Sequence, residues 1–311
     1  MTRKSKLKLD VRNKSYNLQD SPFYKLRSKK LLAKRLNTSL AQLTPLRLDE
    51  GNYSEFLDKE RKIQKPNREL DIVHTRIASL LSRIQTPSYL HSGKKGHSNV
   101  SNAYAHVDAT KLMATDIKSF FPSTNWKMIF SFFMGVMKCS PDVSEFLADL
   151  CTCHKCLPTG SRISMPLAYW ANVRMFNELN SLSLKHGVKM TVYVDDLTFS
   201  GDAVNKLFKS IVSKVISKHD HIMHPTKTKL YSTNQSKLIT GVIVKEGSLQ
   251  VRNEQHLKLS EEFVLWHSIK DKRYALESSI TSRLVGRLHS MGTIDSRYKE
   301  KARGIRQHTS S

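Results

Sequence analysis

Two adjacent carboxylates, Asp195 and Asp196, lie between two short β-favouring runs, and this stretch constrains the chain more than any other. The flanks, Thr191–Val194 and Leu197–Ser200, are rich in Val, Tyr, Phe and Thr, which predicts a β-hairpin whose tight connection is the acidic pair. Neighbouring carboxylates repel each other, so a crowded site tolerates them only beside a cation. A solvent-facing Asp-Asp turn explains these residues equally well, because Asp is common in turns.

A third acid, Asp116, ends a short apolar run that begins at Lys111. Aromatic residues follow it, and Ser123 or Thr124 is expected to cap a helix that starts near Trp126. Because Asp116 comes too early to cap that helix, it is a candidate third carboxylate. If the two strands pair side by side, the three acids converge and can bind Mg²⁺. Two such ions activate a 3′-hydroxyl and stabilise a leaving pyrophosphate, which is polymerase chemistry.

The charge balance points to a polyanionic partner. The chain has 51 Lys and Arg against 27 Asp and Glu, a formal net charge of +24, and nucleic acid is the usual partner of such a protein. The first fifty residues hold thirteen basic and four acidic side chains. Four of the basic residues stand among leucines and predict one helix with a cationic face for phosphates. They are Lys29, Lys30, Lys34 and Arg35.

Several features argue against a membrane partner. No uninterrupted apolar run is long enough to cross a bilayer, and the N-terminus lacks the pattern of a signal peptide. An acidic membrane surface would also suit the positive charge, but no amphipathic helix with a bulky apolar face supports it. We therefore expect a cytoplasmic protein without a membrane partner.

Four cysteines fall within eighteen residues, at Cys139, Cys151, Cys153 and Cys156. Together with His154 they suggest a zinc site, but structural zinc usually takes ligands from two separated pairs. The alternative is a partly buried cluster of reduced thiols, and the sequence favours it without excluding zinc.

An extended segment that leads into a predicted helix carries three basic residues, Arg61, Lys65 and Arg68. Asn67 is the expected N-cap of that helix. They could contact a triphosphate or a template backbone, or be ordinary surface charges. Further along, Asn102 and His106 follow a polar loop and could face one partner.

Three further patterns concern the second half of the chain. The loop at Leu157–Gly160 contains Pro and Gly and can bring backbone amides close to a ligand. A helix is predicted to begin at Pro166 and to run through Leu179. The segment Lys237–Val244 has the composition of a strand, and the last sixty or so residues are predicted to be helical.

Four segments have the order and character of motifs A to D of reverse transcriptases: Asp116-Ile-Lys-Ser-Phe-Phe121, Leu157-Pro-Thr-Gly160, Tyr193-Val-Asp-Asp196 and Lys227. The chain resembles that family from about residue 60 to 245. It is most similar to the bacterial retron branch, because Asn102-Ala-Tyr-Ala-His106 fits an NAxxH signature and Ile239-Thr-Gly241 approximates a VTG signature. The length suits a stand-alone retron enzyme.

The resemblance implies roles for the matching residues. Asp116 and Asp195 would hold both metal ions, with Asp196 supporting them. Phe121 matches the aromatic gate that excludes a ribose 2′-hydroxyl and favours deoxynucleotides. Lys227 matches a lysine that protonates or neutralises the departing pyrophosphate.

The resemblance also implies contacts with the substrates. Thr159 and Gly160 would shape the pocket around the incoming nucleotide, while Arg61, Lys65 or Arg68 would hold its triphosphate. The residues expected to bind RNA are Asn102, His106, Lys29, Lys30, Lys34 and Arg35.

The fold implied is α+β: a right-hand polymerase with fingers, a palm containing an antiparallel sheet, and a helical thumb. We assign residues 1–60 to a basic helical N-terminal segment and 61–110 to the fingers. Residues 111–245 would form the palm, with a helical insertion at 125–155, and residues 246–311 the thumb.

The function implied is an RNA-directed DNA polymerase that uses two Mg²⁺ ions and dNTPs. It would copy a partner noncoding RNA, serving as template and primer, into a branched RNA–DNA hybrid that starts from a guanosine 2′-hydroxyl. A separately encoded effector and a role in anti-phage defence are implied as well. The alternatives are another bacterial reverse transcriptase, of the abortive-infection or group II intron type, and a catalytically idle RNA-binding protein of the same fold.

Overall fold

Short strands and helices alternate over residues 7–11, 14–47, 51–269 and 278–308, which are the residues that the computed structural model describes. The strands are β1 (Tyr53–Asp58), β2 (Arg61–Pro66), β3 (Leu112–Asp116), β4 (Lys189–Tyr193), β5 (Asp196–Ser200), β6 (Lys229–Tyr231), β7 (Lys237–Ile239), β8 (Val242–Lys245) and β9 (Ser248–Val251). The helices are α1 (Lys29–Arg35), α2 (Leu40–Leu43), α3 (Arg68–Leu81), α4 (Asn99–Tyr104), α5 (Phe120–Ser123), α6 (Trp126–Ser131), α7 (Pro141–Cys151), α8 (Ser164–Ala171), α9 (Val173–Lys185), α10 (Lys206–Lys218), α11 (Asn253–His267), α12 (Ser279–Met291) and α13 (Arg297–His308).

The central sheet has four antiparallel strands in the order β4-β5-β3-β6. Strands β4 and β5 form the hairpin that the sequence predicts, and β3 pairs with β5 so that Asp116 stands opposite Asp196. The side-by-side pairing expected of the two acid-bearing strands is therefore present. There are two smaller antiparallel sheets. In sequence, β1-β2 comes before the strands of the central sheet and β7-β8-β9 comes after them.

One large hydrophobic core packs helices against the central sheet. It runs from Phe23 near the N-terminus to Ile216 in α10, and it includes the fully buried rings of Phe132, Phe176 and Phe199. Each such ring contributes about 1.5–3 kcal/mol relative to leaving it exposed. The N-terminal residues thus share a core with the sheet that carries the acids.

Two smaller cores lie outside the large one. Helices α11, α12 and α13 pack around Leu259, Trp266 and Leu284, while β7 and β8 pack on α4 and β3 through Ala103 and Ile239. The C-terminal helices therefore have apolar contacts of their own.

Helix α3 begins as its sequence predicts. The Asn67 side chain accepts a hydrogen bond from the Leu70 amide, which satisfies one of the free N–H groups of the first turn. The extended lead-in predicted before this helix is strand β2.

The single helix predicted around Lys29–Leu40 is wrong, because the chain forms two short helices there. Helix α1 ends at Arg35, and Asn37 then adopts a left-handed conformation with φ of 57°. A new helix starts after Ser39, whose side chain forms a reciprocal capping box with Gln42. Local capping chemistry therefore overrides the leucine spacing.

Two other predicted elements are also divided. The helix predicted from Pro166 to Leu179 consists of α8 and α9, which meet at Asn172. The strand predicted over residues 237–244 is a β-hairpin, because Thr240 and Gly241 both have positive φ (44° and 82°) and reverse the chain.

The helix cap expected at Ser123 or Thr124 lies instead at Asn125, whose side chain accepts from the Met128 amide. Ser123 ends the separate short helix α5, and Thr124 follows it. Residues 125–155 contain α6, a π-helical segment (Phe132–Val136) and α7, and their assignment as an insertion stays a prediction.

The predicted α+β fold class, with antiparallel sheets and a helical C-terminal part, is confirmed. The division into 1–60, 61–110, 111–245 and 246–311 stays a prediction. The β1–β2 hairpin runs across the position proposed between the first two units.

A buried histidine ties the two strands of the acid-bearing hairpin together. His106 is 1% exposed, with Nδ1 at 2.6 Å from the Ser200 hydroxyl and Nε2 at 2.8 Å from the Thr191 hydroxyl. Burial, followed by the nearby positive charge of Lys189, lowers the pKa of His106 to about 3. The ring is therefore neutral at physiological pH and acts as a fixed hydrogen-bonding bridge.

We expect His106→Leu to lower the free energy of unfolding by about 2–4 kcal/mol, because it leaves the hydroxyls of Thr191 and Ser200 buried without a partner. Chemical denaturation followed by circular dichroism measures the loss. The matched control is His289→Leu, an exposed histidine of α12, which should change stability by less than about 0.5 kcal/mol. Equal effects of the two substitutions would contradict the bridging role.

Candidate functional site

The β4–β5 hairpin turns over Val194 and Asp195, and this turn is held in an unusual conformation. Val194 has φ of 62°, a region that a β-branched residue rarely occupies. The Val194 amide donates to the Ser92 hydroxyl at 3.0 Å, and the Ile117 amide donates to the Asp195 carbonyl at 3.0 Å. Strain of this kind persists only where surrounding contacts impose it, and it is common at functional sites.

The acidic pair is not confined to the turn, which corrects the sequence-based expectation. Asp195 lies in the turn, whereas Asp196 is the first residue of β5 and pairs with both Tyr193 and Asp116. The two neighbouring acids thus have different backbone environments. Asp116, at the end of β3, is 6% exposed.

Lys227 lies beside the first of these acids, Asp116. Its Nζ is 2.5 Å from Asp116 Oδ2, and its side chain remains 58% exposed. Contacts on both sides of Lys227 place it there: the His224 amide donates to the Asp116 carbonyl at 2.7 Å, and the Thr228 and Thr115 hydroxyls are 2.7 Å apart. The structure therefore brings together all four residues predicted to be catalytic.

One ammonium does not balance three carboxylates, and the pKa values reflect this. Burial and then the charge of Asp116 raise the pKa of Asp195 to about 6. Burial and then the charges of Asp195 and Asp116 raise the pKa of Asp196 to about 7. In both cases Lys227 opposes the shift without cancelling it. A cluster short of positive charge, with oxygen ligands on rigid strands, fits a hard divalent cation.

A buried polar network connects the segments next to this site, and sequence patterns did not reveal it. Asn172, at the break between α8 and α9, donates to the Ala168 carbonyl and to the Thr124 hydroxyl, both at 3.0 Å. The side-chain oxygen of Asn172 therefore faces His221 Nε2 at 2.7 Å and accepts a hydrogen bond from it. The other ring nitrogen, Nδ1, then has no proton and accepts from the Ser123 hydroxyl at 2.8 Å.

This network joins the segment that follows the first acid to the segment that carries the lysine. Burial lowers the pKa of His221 to about 4, so the ring stays neutral and keeps the donor and acceptor assigned above. The ring centroid lies 5.6 Å from that of Phe120. No local sequence pattern marks the network, because the helix predicted from Pro166 runs through Asn172 without interruption.

Phe121 lies close in sequence to the first acid, on the one-turn helix α5. Ser119, with φ of 53°, reverses the chain before α5. Phe121 is half-buried and packs against the large core, with its ring centroid 6.0 Å from that of Phe120. One side of the ring is thus supported, and another side remains open.

The loop at Leu157–Gly160 is attached to β2. The Thr159 hydroxyl donates to the Lys62 carbonyl at 2.7 Å, and the Gly160 amide donates to the Gln64 carbonyl at 3.1 Å. A Cβ on Gly160 would lie 2.6 Å from that carbonyl, so glycine is required for the close approach of two backbones. Gln64, which the sequence did not single out, also bonds Thr159 through its side chain.

A cleft of ≈ 940 Å³ lies beside this loop, and Lys65, Arg68, Thr159 and Gly160 all line it. Arg61 does not line the cleft, and neither do the three acids. The cleft thus groups two of the three candidate triphosphate ligands with the loop. Arg162 also lines the cleft and forms an ion pair with Asp71 of α3.

The RNA-binding roles expected for Asn102 and His106 do not fit the structure. Asn102 is 0% exposed and donates to the Thr240 hydroxyl at 3.4 Å, while His106 is the bridge within the central sheet described above. Asn99 also bonds Thr240, in both directions, at 3.1 and 2.9 Å. The NAxxH and VTG signatures therefore contact each other through Asn102 and Thr240, and this contact stabilises the fold.

The basic residues of α1 are available at the surface. Lys30, Lys34 and Arg35 are exposed, and Lys29 lies 3.8 Å from Asp142 in a weak ion pair. Phosphate binding by these residues stays a prediction.

None of the four cysteines forms a disulfide; three of them are buried and Cys156 is half-buried. This agrees with the partly buried reduced thiols that the sequence favours. Among the residues that the structure describes, no helix combines the length and apolar character that a bilayer crossing requires.

The sequence of this chain is similar to those of known proteins. Over 210 residues the chain is 30% identical to the Retron Se72 reverse transcriptase of Salmonella heidelberg. This alignment covers 63% of this chain and 54% of that relative. The chain is similar to retron reverse transcriptases. It is also 22% identical over 204 residues to the Retron Ec86 reverse transcriptase and 26% identical over 243 residues to the Retron Ec48 reverse transcriptase, both of Escherichia coli. The resemblance inferred from the motifs is thus confirmed.

The matches to Ec86 and Ec48 cover 64% and 70% of this chain and 63% and 58% of those relatives. The chain thus spans between about half and two thirds of the length of these retron reverse transcriptases. No family model matches it. A solved structure of a foamy viral protease-reverse transcriptase with double-stranded DNA aligns with a TM-score of 0.40 and 13% identity, over 76% of this chain and 34% of that one.

The raised pKa values predict competition between protons and a divalent cation. Below pH 7 a cation must displace protons from Asp195 and Asp196, so its affinity should rise as pH increases from 5.5 to 8 and then level off. Thermal stability titrated with Mn²⁺ at several pH values measures the apparent Kd. The titration should show no specific stabilisation in Asp195→Asn. An affinity that does not change over this pH range would contradict the pKa assignment.

Proposed function

We propose that this protein is an RNA-directed DNA polymerase of the retron type. The observation that carries the proposal is the convergence of Asp116, Asp195 and Asp196 at one point of an antiparallel sheet, with Lys227 on the first of them. The similarity to retron reverse transcriptases supports it.

Asp116 and Asp195 would hold two Mg²⁺ ions, and Asp196 would support them. Bound there, the ions supply activation of a primer hydroxyl and stabilisation of the leaving pyrophosphate. The carboxylates fit this role because they offer hard oxygen ligands whose charge Lys227 alone does not balance. Strands β3 and β5 and the turn between β4 and β5 hold these carboxylates in place, so little reorganisation is required on binding.

Lys227 is proposed to act on the leaving group. Its ammonium neutralises part of the acidic cluster, yet more than half of its side chain faces solvent. A cation in that position can donate a proton to the pyrophosphate or neutralise its charge.

Phe121 is proposed to be the gate that excludes a ribose 2′-hydroxyl. The support for its position comes from Ser123, two residues further on, which the His221–Asn172 network holds. A gate discriminates only if its ring cannot move aside, and the core contacts of Phe121 restrain the ring.

Lys65 and Arg68 are proposed to contact the triphosphate, with Thr159 and Gly160 forming the adjacent wall. Arg61 remains a candidate at the start of the same strand. The exposed residues of α1, Lys30, Lys34 and Arg35, would contact RNA phosphates, in agreement with the net charge of +24.

A catalytically idle RNA-binding protein would not need this site. Binding RNA requires positive charge, whereas three adjoining carboxylates repel RNA and raise one another's pKa. Gathering ionised acids without full compensation costs free energy, on the order of several kcal/mol for a buried charge. The cost is understandable if a bound cation offsets it.

The partner is proposed to be a structured noncoding RNA that acts as template and primer. Synthesis would start at a guanosine 2′-hydroxyl and give a branched RNA–DNA product in the cytoplasm, with a separately encoded effector and a role in anti-phage defence. Support for this part rests on the named retron relatives.

We expect Asp195→Asn to reduce primer extension at least about 100-fold, since the substitution removes a charge at the reacting centre. Purified protein is incubated with primer–template, Mg²⁺ and dNTPs, and products are resolved by length. The matched control is Asp202→Asn, an exposed acid just after β5, which should extend primers as the parent does. Equal extension by the parent and Asp195→Asn, or none by the parent, would refute the proposed activity.

We also expect the protein to co-purify with a small RNA covalently joined to DNA. Nucleic acid from the purified complex is sequenced before and after debranching, and debranching should separate the DNA from one defined guanosine. The Asp195→Asn protein should retain the RNA and lack the DNA. Recovery of random cellular RNA would exclude the retron function and favour another bacterial reverse transcriptase.

A further inference from the structure

The segment Cys151-Thr-Cys-His-Lys-Cys156 has no role in the proposed polymerase site, but the structure adds an acid to it from elsewhere in the chain. Glu55 of β1 lies against this segment, and the ligand atoms of Glu55, Cys153 and His154 all lie within 4.8 Å of one another. A carboxylate, a thiol and an imidazole at such separations form a common ligand set for zinc. Sequence spacing could not reveal it, since about a hundred residues separate the two parts.

The two chain-adjacent ligands stand on a rigid turn. The Cys153 amide donates to the Cys156 carbonyl at 2.8 Å, and the Cys156 amide donates back to the Cys153 carbonyl at 3.0 Å. Between them His154 and Lys155 both have left-handed φ angles, 50° and 59°. Two consecutive positive φ values define a tight hairpin turn, and they are unusual for residues with side chains.

The turn is also fixed to the body of the protein. The Trp126 amide donates to the Lys155 carbonyl at 2.8 Å, and the Leu157 amide donates to the Thr124 carbonyl at 3.0 Å. Lys155 itself is directed away, with Nζ 3.1 Å from Asp149. Cys153 and His154 are therefore presented from a preorganised backbone, as a metal site requires.

Glu55 is oriented by a different neighbour. Its Oε2 lies 2.7 Å from Lys62 Nζ, and its Oε1 lies 2.7 Å from His154 Nε2. The hydrogen bond from Lys62 is the main reason that the pKa of Glu55 is below its usual value, so the carboxylate is ionised at neutral pH. One oxygen is thus held by Lys62, while the other contacts the imidazole.

The geometry differs from a metal-bound one only by side-chain movement. With zinc bonds of about 2.0–2.3 Å, ligand atoms in a tetrahedral site stand about 3.3–3.8 Å apart, so the Glu55–His154 contact must lengthen by about 1 Å. The His154 side chain is 59% exposed and that of Glu55 is 32% exposed, which leaves both room to rotate.

We propose that Glu55, Cys153 and His154 form a binding site for a divalent transition metal ion of the zinc class, with water as the fourth ligand. Thiolate and imidazole ligands favour such an ion over Mg²⁺. The His154–Glu55 hydrogen bond brings two of the three ligands together, and the thiol of Cys153, which is 1% exposed, completes the group. Cys151, inside α7, and Cys156 lie outside the ligand set.

The consequence of a bound ion would be mechanical. It would fasten the β1–β2 hairpin to the turn at residues 153–156, which the backbone of Thr124 and Trp126 already holds. The hairpin carries Arg61 and Lys65 at its surface, so the ion would limit how far those two side chains can move. This proposal does not depend on the polymerase activity.

The test uses Co²⁺ as a probe on the full-length protein after removal of metals with a chelator. Cobalt bound to a thiolate gives a charge-transfer absorption that carboxylates cannot give, so the band reports this site and not the three aspartates. We expect a saturable band at one Co²⁺ per chain, which Zn²⁺ abolishes and excess Mg²⁺ leaves unchanged.

Variants identify the ligands. We expect Cys153→Ser to lose the band and His154→Gln to weaken binding at least tenfold, whereas Cys156→Ser, a control in the same turn, should keep both. Zn²⁺ should raise the Tm of the parent and of Cys156→Ser but not that of Cys153→Ser. Absence of a band in the folded parent, or its loss from Cys156→Ser with retention in Cys153→Ser, would overturn the proposal.

Discussion

The crowding of three carboxylates around one ammonium is the constraint on which the rest of this structure depends. Like charges at such short range are unfavourable unless the backbone leaves them no alternative. Here the register of β3 against β5 places Asp116 and Asp196 opposite each other, and the turn adds Asp195. The sheet needs a large core on its helical side to hold that register, and helices α1 to α3 and α5 to α10 supply it.

Neutral polar groups hold the same region together from inside. Three buried histidines, His74, His106 and His221, each bond through both ring nitrogens, and burial lowers the pKa of every one of them. A neutral imidazole supplies one donor and one acceptor without adding charge. These rings therefore link strands, helices and loops without adding charge to the interior of the protein.

Sequence patterns predicted the parts of the site that depend on local order, and missed those that depend on contacts between distant segments. Asp116, the acidic hairpin and Lys227 follow from strand patterns and motif order, and the structure brings them together. The burial of Asn102 could not be foreseen, because it results from its contact with Thr240, more than a hundred residues away. The division at Asn172 was missed for the same reason, since its partners lie on other elements.

The separate core of the C-terminal helices has a consequence for how proteins of this kind diversify. Leu259, Trp266 and Leu284 pack with one another, a partly buried Ile294 packs on the β7–β8 core, and Val251 of β9 packs on the C-terminal core. Substitutions inside the C-terminal core can accumulate without moving the strands that carry the acids. The C-terminal helices can thus be remodelled as a module, acquiring a new surface for a new partner, while the chemistry of the sheet stays the same.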